Sequence, residues 1–195
     1  MRRGKFIVFY GINNLGKSTQ AKILVESLKK RGIKAEYLKY PIYDLKPSGP
    51  FINKVLRGGK KQKISEEEFQ MWYTLNRFQS EPKLKAKLEK GIWIVAEDYI
   101  GTGLAWGWTK GADLEYLENL NKTLLKEDLA ILFYGKRFLD AKEKIHLHES
   151  NNELISKCQH KHQLLARKYH WQKIFANGTR EEITQKIWVI VSKIC

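Results

Sequence analysis

The densest chemistry in the sequence lies in eight residues near its start. Gly11-Ile12-Asn13-Asn14-Leu15-Gly16-Lys17-Ser18 fits the pattern G-x-x-x-x-G-K-[ST], and Thr19 follows. Glycines at both ends let backbone N–H groups curl around phosphate oxygens, and a helix opening at Lys17 adds the positive end of its dipole. Lys17 is then expected to bridge the β- and γ-phosphates of a nucleoside triphosphate. Ser18 is the expected Mg2+ ligand, the metal offsetting charge as a phosphoryl group moves. The acid pair Glu97-Asp98 is the second candidate, since a carboxylate there holds a magnesium-bound water or orients an attacking oxygen. Such a pair at a strand end is also an ordinary solvated cap feature, so its chemical reading depends on the phosphate loop.

Placement supports that reading. Residues 5–10 (KFIVFY) are an apolar run ending at Gly11, as expected of a central parallel strand covered on both faces. From Lys17, the positions Ala21, Leu24, Val25 and Leu28 keep helical period, and Arg31-Gly32 supplies a basic last turn and a stop. A second strand is expected at 34–39, then a loop over 41–50 marked by prolines and a glycine. Ser65 opens a capping box and a helical region reaching residue 89, which Pro82 should end or kink at Glu81. Strands follow at 92–98 and 129–134, with a helix over 113–126 between them. A polar, basic stretch from Gly135 to Ser150 reads as a mobile segment. A helix near 151–169, a strand at 171–175 and a last helix capped by Thr179 and Glu182 complete the chain. The last helix should bury Ile183, Ile187, Ile190, Val191 and Ile194. Alternating strands and helices over 195 residues imply one α/β domain with helices on both faces of a parallel sheet of about five strands.

Composition narrows the class. A hydrophobic share of 43% with 12% aromatic residues argues against disorder. No apolar run approaches the roughly 20 residues of a membrane span, and the apolar stretch after the two leading arginines runs into a glycine loop rather than a cleavage site. Cys158 and Cys195 lie far apart without metal-like spacing, which suits a reducing cytoplasm. The net charge of +15 favours an anionic partner, a nucleotide or a nucleic acid, or else marks a lysine-rich solvated surface.

Four segments carry a family resemblance along nearly the whole chain. FIVFYGINNLGKSTQAKIL resembles the first strand, phosphate loop and helix of the thymidylate kinase family, including Gln20 after the Ser18-Thr19 pair. MWYTLNRFQ at 71–79 is similar to the helix whose aromatic residue stacks on thymine and whose arginine contacts the base, roles that fall to Tyr73 and Arg77. LEKGIWIVAEDYIGTGLAW resembles the family's Asp-Arg-Tyr strand: Glu97 takes the Asp position, Asp98 the Arg, Tyr99 the Tyr, Thr102 a following serine and Trp106 an aromatic. FANGTREEI at 175–183 is similar to the loop that cups adenine through backbone contacts, placing Asn177 and Gly178 there.

The resemblance implies a three-layer P-loop kinase fold in one domain, 1–195, with a short lid near 136–150. It implies γ-phosphate transfer from MgATP to dTMP, with ATP held by Gly11, Asn13, Asn14, Gly16, Lys17, Ser18 and Thr19, and a homodimer. Glu97 and Ser18 would manage the magnesium. Tyr73, Arg77, Asp98, Tyr99, Thr102 and Trp106 would hold the acceptor. Four positions depart from the family pattern. Tyr10 stands for an acid, Asn13 for an aspartate, and both Asp98 and Tyr43 replace arginines that grip the acceptor's phosphate. Lys110, Arg57 or Lys46 are the candidate substitutes, because a dianion needs cationic donors. In the lid, Arg137 is the first choice to supply positive charge to the transferring group, ahead of Lys142 and Lys144, with His146 and His148 beside them. Two other readings stay open: a deoxynucleoside kinase using Glu97 as base, and a catalytically impaired nucleotide-binding protein that binds nucleic acid or a partner.

Overall fold

The computed structural model describes residues 3–58, 62–138 and 152–195. Five strands form one parallel sheet: β1 (Phe6–Tyr10), β2 (Ala35–Lys39), β3 (Trp93–Glu97), β4 (Leu129–Tyr134) and β5 (Gln172–Phe175). Their spatial order is β2-β3-β1-β4-β5. Every residue of β1 and β3 is buried, which is why both read as apolar runs, interrupted only by Glu97 at the end of β3. The register pairs Phe9 with Glu97 and Tyr10 with Leu132, so the carboxyl ends of the central strands finish level with one another. The chain visits β2 and β3 on one side of β1 before crossing to β4 and β5 on the other. The turn after β1 therefore sits where the winding reverses, the usual place for a ligand in an open α/β sheet.

Helices α1 (Lys17–Lys29) and α7 (Arg180–Val191) pack together as one layer. The other layer comprises α3 (Glu66–Glu89), α4 (Ile100–Thr109), α5 (Leu114–Leu120) and α6 (Asn152–Lys168), with α2 (Ser48–Arg57) against α3. On α7 the expected face is buried at Ile183, Ile187 and Val191, with Ile190 and Ile194 partly buried against it.

Three expectations need correction. The stretch 41–50 is not loop throughout: α2 begins at Ser48, because Pro50 falls in its first turn, where no helical N–H partner is required. Pro82 does not end α3, which continues to Glu89. Pro82 itself is exposed, so the carbonyl it leaves without a helical partner lies on the solvent side. The helix expected over 113–126 spans only Leu114–Leu120, and α4, just before it, with glycines at 101, 103 and 107, was not expected. One of them, Gly103, is where the helix meets a buried side chain: a Cβ there would lie 2.5 Å from Arg77 Nη2. Of the stretch 135–150 expected to be mobile, and of the lid near 136–150, residues 139–150 lie outside the described residues, with Lys142, Lys144, His146 and His148 among them.

Candidate active site

The loop from Gly11 to Gly16 leaves β1 and enters α1. Gly11 has φ 126° and a Cβ there would collide with the Phe133 carbonyl; Gly16 has φ 78° and Asn14 φ 62°. Such angles turn consecutive N–H groups toward one point. Lys17 is buried, its Nζ donating to the carbonyls of Gly11 (2.8 Å) and Ile12 (2.9 Å) and lying 3.5 Å from Asp98 Oδ1. The hydroxyl of Ser18 donates to both carboxylate oxygens of Glu97, at 2.7 and 3.0 Å.

Glu97 ends β3 fully buried and gathers two further groups that sequence reasoning missed. Tyr37 donates its hydroxyl to Glu97 Oε1, and Lys39 Nζ stands 3.7 Å from the same oxygen. Burial first, and then the bond to Glu97, hold the Tyr37 phenol well above its ordinary range. The available signal was position, since both lie on β2 near a strand end that faces the phosphate loop.

Asp98 follows with φ 63° and accepts from Thr102 Oγ1 at 3.1 Å. Burial raises the Asp98 pKa, opposed by Lys17, while the Glu97 charge pushes it further up. Both acids, the serine and the lysine of the sequence reading thus meet at one point.

Beside them opens a cavity of about 150 Å3 lined by Asn13, Lys39, Asp98, Arg77, Tyr73 and Trp106, among others. Arg77 is fully buried on α3. Its Nη1 donates to Asn121 Oδ1 (2.9 Å) and its Nη2 to the Tyr99 carbonyl (3.2 Å), leaving Nε without a partner. Asn121, which closes α5, left no trace in the sequence as a positioning residue. Tyr73 packs on Phe69 at 4.7 Å, and Thr102 also lines the cavity.

The other expected residues fall elsewhere. The Tyr99 side chain is in the core against Phe6 and Tyr40, so it is its carbonyl that reaches Arg77. Asn177 exchanges two bonds with the Lys136 backbone, at 2.6 and 2.7 Å, tying the loop before α7 to the one after β4. Gly178 is exposed beside it. Phe138 N donates to Asn14 O at 2.9 Å, so the chain just after Arg137 is pinned to the phosphate loop. Gln20 links α1 to α7, donating to Arg180 O and accepting from Thr184. Lys46 is not among the residues lining the cavity, and Lys110 pairs with Glu66 at 3.1 Å.

A phosphate loop at the switch point of a parallel sheet, backed by a Ser–carboxylate pair beside a cavity, defines a P-loop phosphotransferase. The comparisons narrow the class: the pattern described as Thymidylate kinase matches residues 9–192, and the chain belongs to that family. A thymidylate kinase from Plasmodium falciparum is 31% identical over 99% of this chain and 92% of its own length. A probable thymidylate kinase from Thermococcus kodakarensis is 38% identical over 65% of this chain and 64% of its own length. In fold, the chain is similar to the thymidylate kinase structure from Candida albicans, with a TM-score of 0.79 at 21% identity, covering 98% of this chain and 92% of that one.

Proposed function

We propose that the protein transfers the γ-phosphoryl group of ATP to the 5′-phosphate of dTMP with Mg2+ as cofactor. One observation carries the reading: a single cavity is lined by Asn13 of the phosphate loop, by Asp98 and by the buried Arg77. Arg77 has one N–H on Asn121 and one on the Tyr99 carbonyl, so its remaining N–H groups are the donors left for a nucleobase. A donor matches a pyrimidine carbonyl and opposes the amino group that cytosine presents there. Tyr73 and Trp106 add ring surface for the base.

At the donor side, the loop amides and Lys17 hold the triphosphate and align it with the acceptor, and in phosphoryl transfer positioning and charge do most of the work. Ser18 and Glu97 together offer the hard oxygens that Mg2+ prefers, within 3.0 Å of each other. Bound there, Mg2+ supplies positive charge against the phosphates. Asn177 and the backbone at Gly178 would border the adenine, and Arg137, next to the residue pinned on Asn14, would bring charge to the transferring group.

We further read the chain as a cytoplasmic homodimer. Cys158 and Cys195 are free thiols, and Met71, Leu75 and Phe78 form an exposed stripe on α3 at helical spacing. No helix among the described residues is long and apolar enough to cross a membrane.

The test is transfer from MgATP to dTMP, dUMP, dCMP, dGMP and thymidine. Transfer to dTMP is expected, with dCMP rejected. Lys17→Ala should lower turnover by about 100-fold or more, as losing one preorganised donor does. No transfer to any monophosphate would sink the reading, and transfer to thymidine alone would make a hydroxyl the acceptor.

A further inference from the structure

The acceptor's phosphate must sit near Lys17, Ser18 and Glu97 to be attacked in line, so its grip has to come from cations around that part of the cavity. Neither position 43 nor position 98 supplies one, being Tyr43 and Asp98. The cations among the lining residues are Lys39, Arg57, Arg77 and Lys110. Arg77 is held by Asn121 and the Tyr99 carbonyl and its remaining donors are assigned to the base, and Lys110 is paired with Glu66. Lys39 stands 3.7 Å from Glu97 Oε1, at the acid that closes the phosphate-loop side.

Arg57 differs from these. Its guanidinium lies over the Tyr43 ring, 5.3 Å from the centroid, and no carboxylate among the described residues is paired with it. Tyr43, Arg57, Lys39 and Asp98 all line the same cavity. The position is also fixed by packing. Arg57 ends α2, whose Ile52 and Leu56 are buried with Phe69, and Tyr43 packs against the same cluster. Arg57 also bonds the Tyr43 side chain, and its other N–H donors remain in a planar fork, the geometry that suits a phosphate.

We infer that Arg57, held over Tyr43, grips the 5′-phosphate of the acceptor nucleotide with Lys39 as its partner, the pair Tyr43–Arg57 doing the work of an arginine at position 43. The inference rests on the dTMP acceptor reading.

The experiment compares equilibrium binding of dTMP and thymidine by calorimetry in wild type, Arg57→Gln, Arg57→Lys and the double variant Tyr43→Arg/Arg57→Gln. Arg57→Gln should weaken dTMP by about tenfold to hundredfold, the worth of a charged bidentate contact, and leave thymidine unchanged. Retained thymidine binding also certifies the fold. Arg57→Lys should recover part of the loss, and Tyr43→Arg should recover most of it. If Arg57→Gln leaves dTMP unchanged, or weakens dTMP and thymidine equally, the inference is wrong while the acceptor reading survives. Wild-type protein that binds neither compound overturns the acceptor reading and the inference with it.

Discussion

Glu97 shows how one residue's role depends on its neighbours: an acid at a strand end, read as a candidate metal ligand because of the phosphate loop, has Ser18 at 2.7 Å. Chain order placed Glu97 and Ser18 far apart, and no spacing rule predicted Tyr37 or Lys39 beside them. His162 is a second such case, outside the site. It is fully buried on α6, donates Nδ1–H to the Cys158 carbonyl at 2.9 Å, and has Nε2 unpartnered. Burial pushes its pKa down to about 4 from 6.5. The folded state thus favours the neutral ring and the unfolded chain takes up the proton first. Its contribution is present above pH 6.5 and is lost as pH falls toward 4. His162→Leu should flatten the acid limb of stability by up to about 1.4 kcal/mol per pH unit in that window. Urea midpoints measured across the window check this, and parallel slopes in the two proteins would show that the ring is protonated without cost.

At the scale of elements, capping signals were the most reliable guide. Thr179 accepts from Glu182 N at 3.2 Å while Glu182 returns a bond to Thr179 N at 3.0 Å, so α7 starts where the sequence says. Thr179→Ala should cost about 1 kcal/mol of unfolding free energy, read from denaturant midpoints, and an unchanged midpoint would mean that packing of Ile183 and Ile187 holds the helix start alone. Helices α2 and α4 were illegible for the opposite reason. Their prolines and glycines are local signals for loop, and they are tolerated because Pro50 sits in a first turn and Gly103 faces Arg77. Pro82 misled in the same way. Rules drawn from a residue's own backbone preference lose to tertiary contacts whenever the neighbouring surface removes the penalty.

Over the whole molecule, the stripe of Met71, Leu75 and Phe78 is 47%, 39% and 40% exposed, large apolar side chains on one face of the longest helix described. A second copy laid along α3 would cover it. Leu75→Glu should then give a monomer by sedimentation velocity with far-UV circular dichroism unchanged, and a wild-type monomer at micromolar concentration would rule the dimer out. The sheet, the phosphate loop with Lys17 and Ser18 at the start of α1, and the last helix were all contained in local sequence. A buried parallel strand must be apolar, a phosphate cradle must have glycines, and a helix start must have a cap, each within a few residues. The acceptor side was not contained there. Arg77 has its direction from Asn121 and the Tyr99 carbonyl, Glu97 its company from β2, and Arg57 its seat from Tyr43. Those partners are set by how helices and strands pack, and packing joins residues that share no local pattern in the chain.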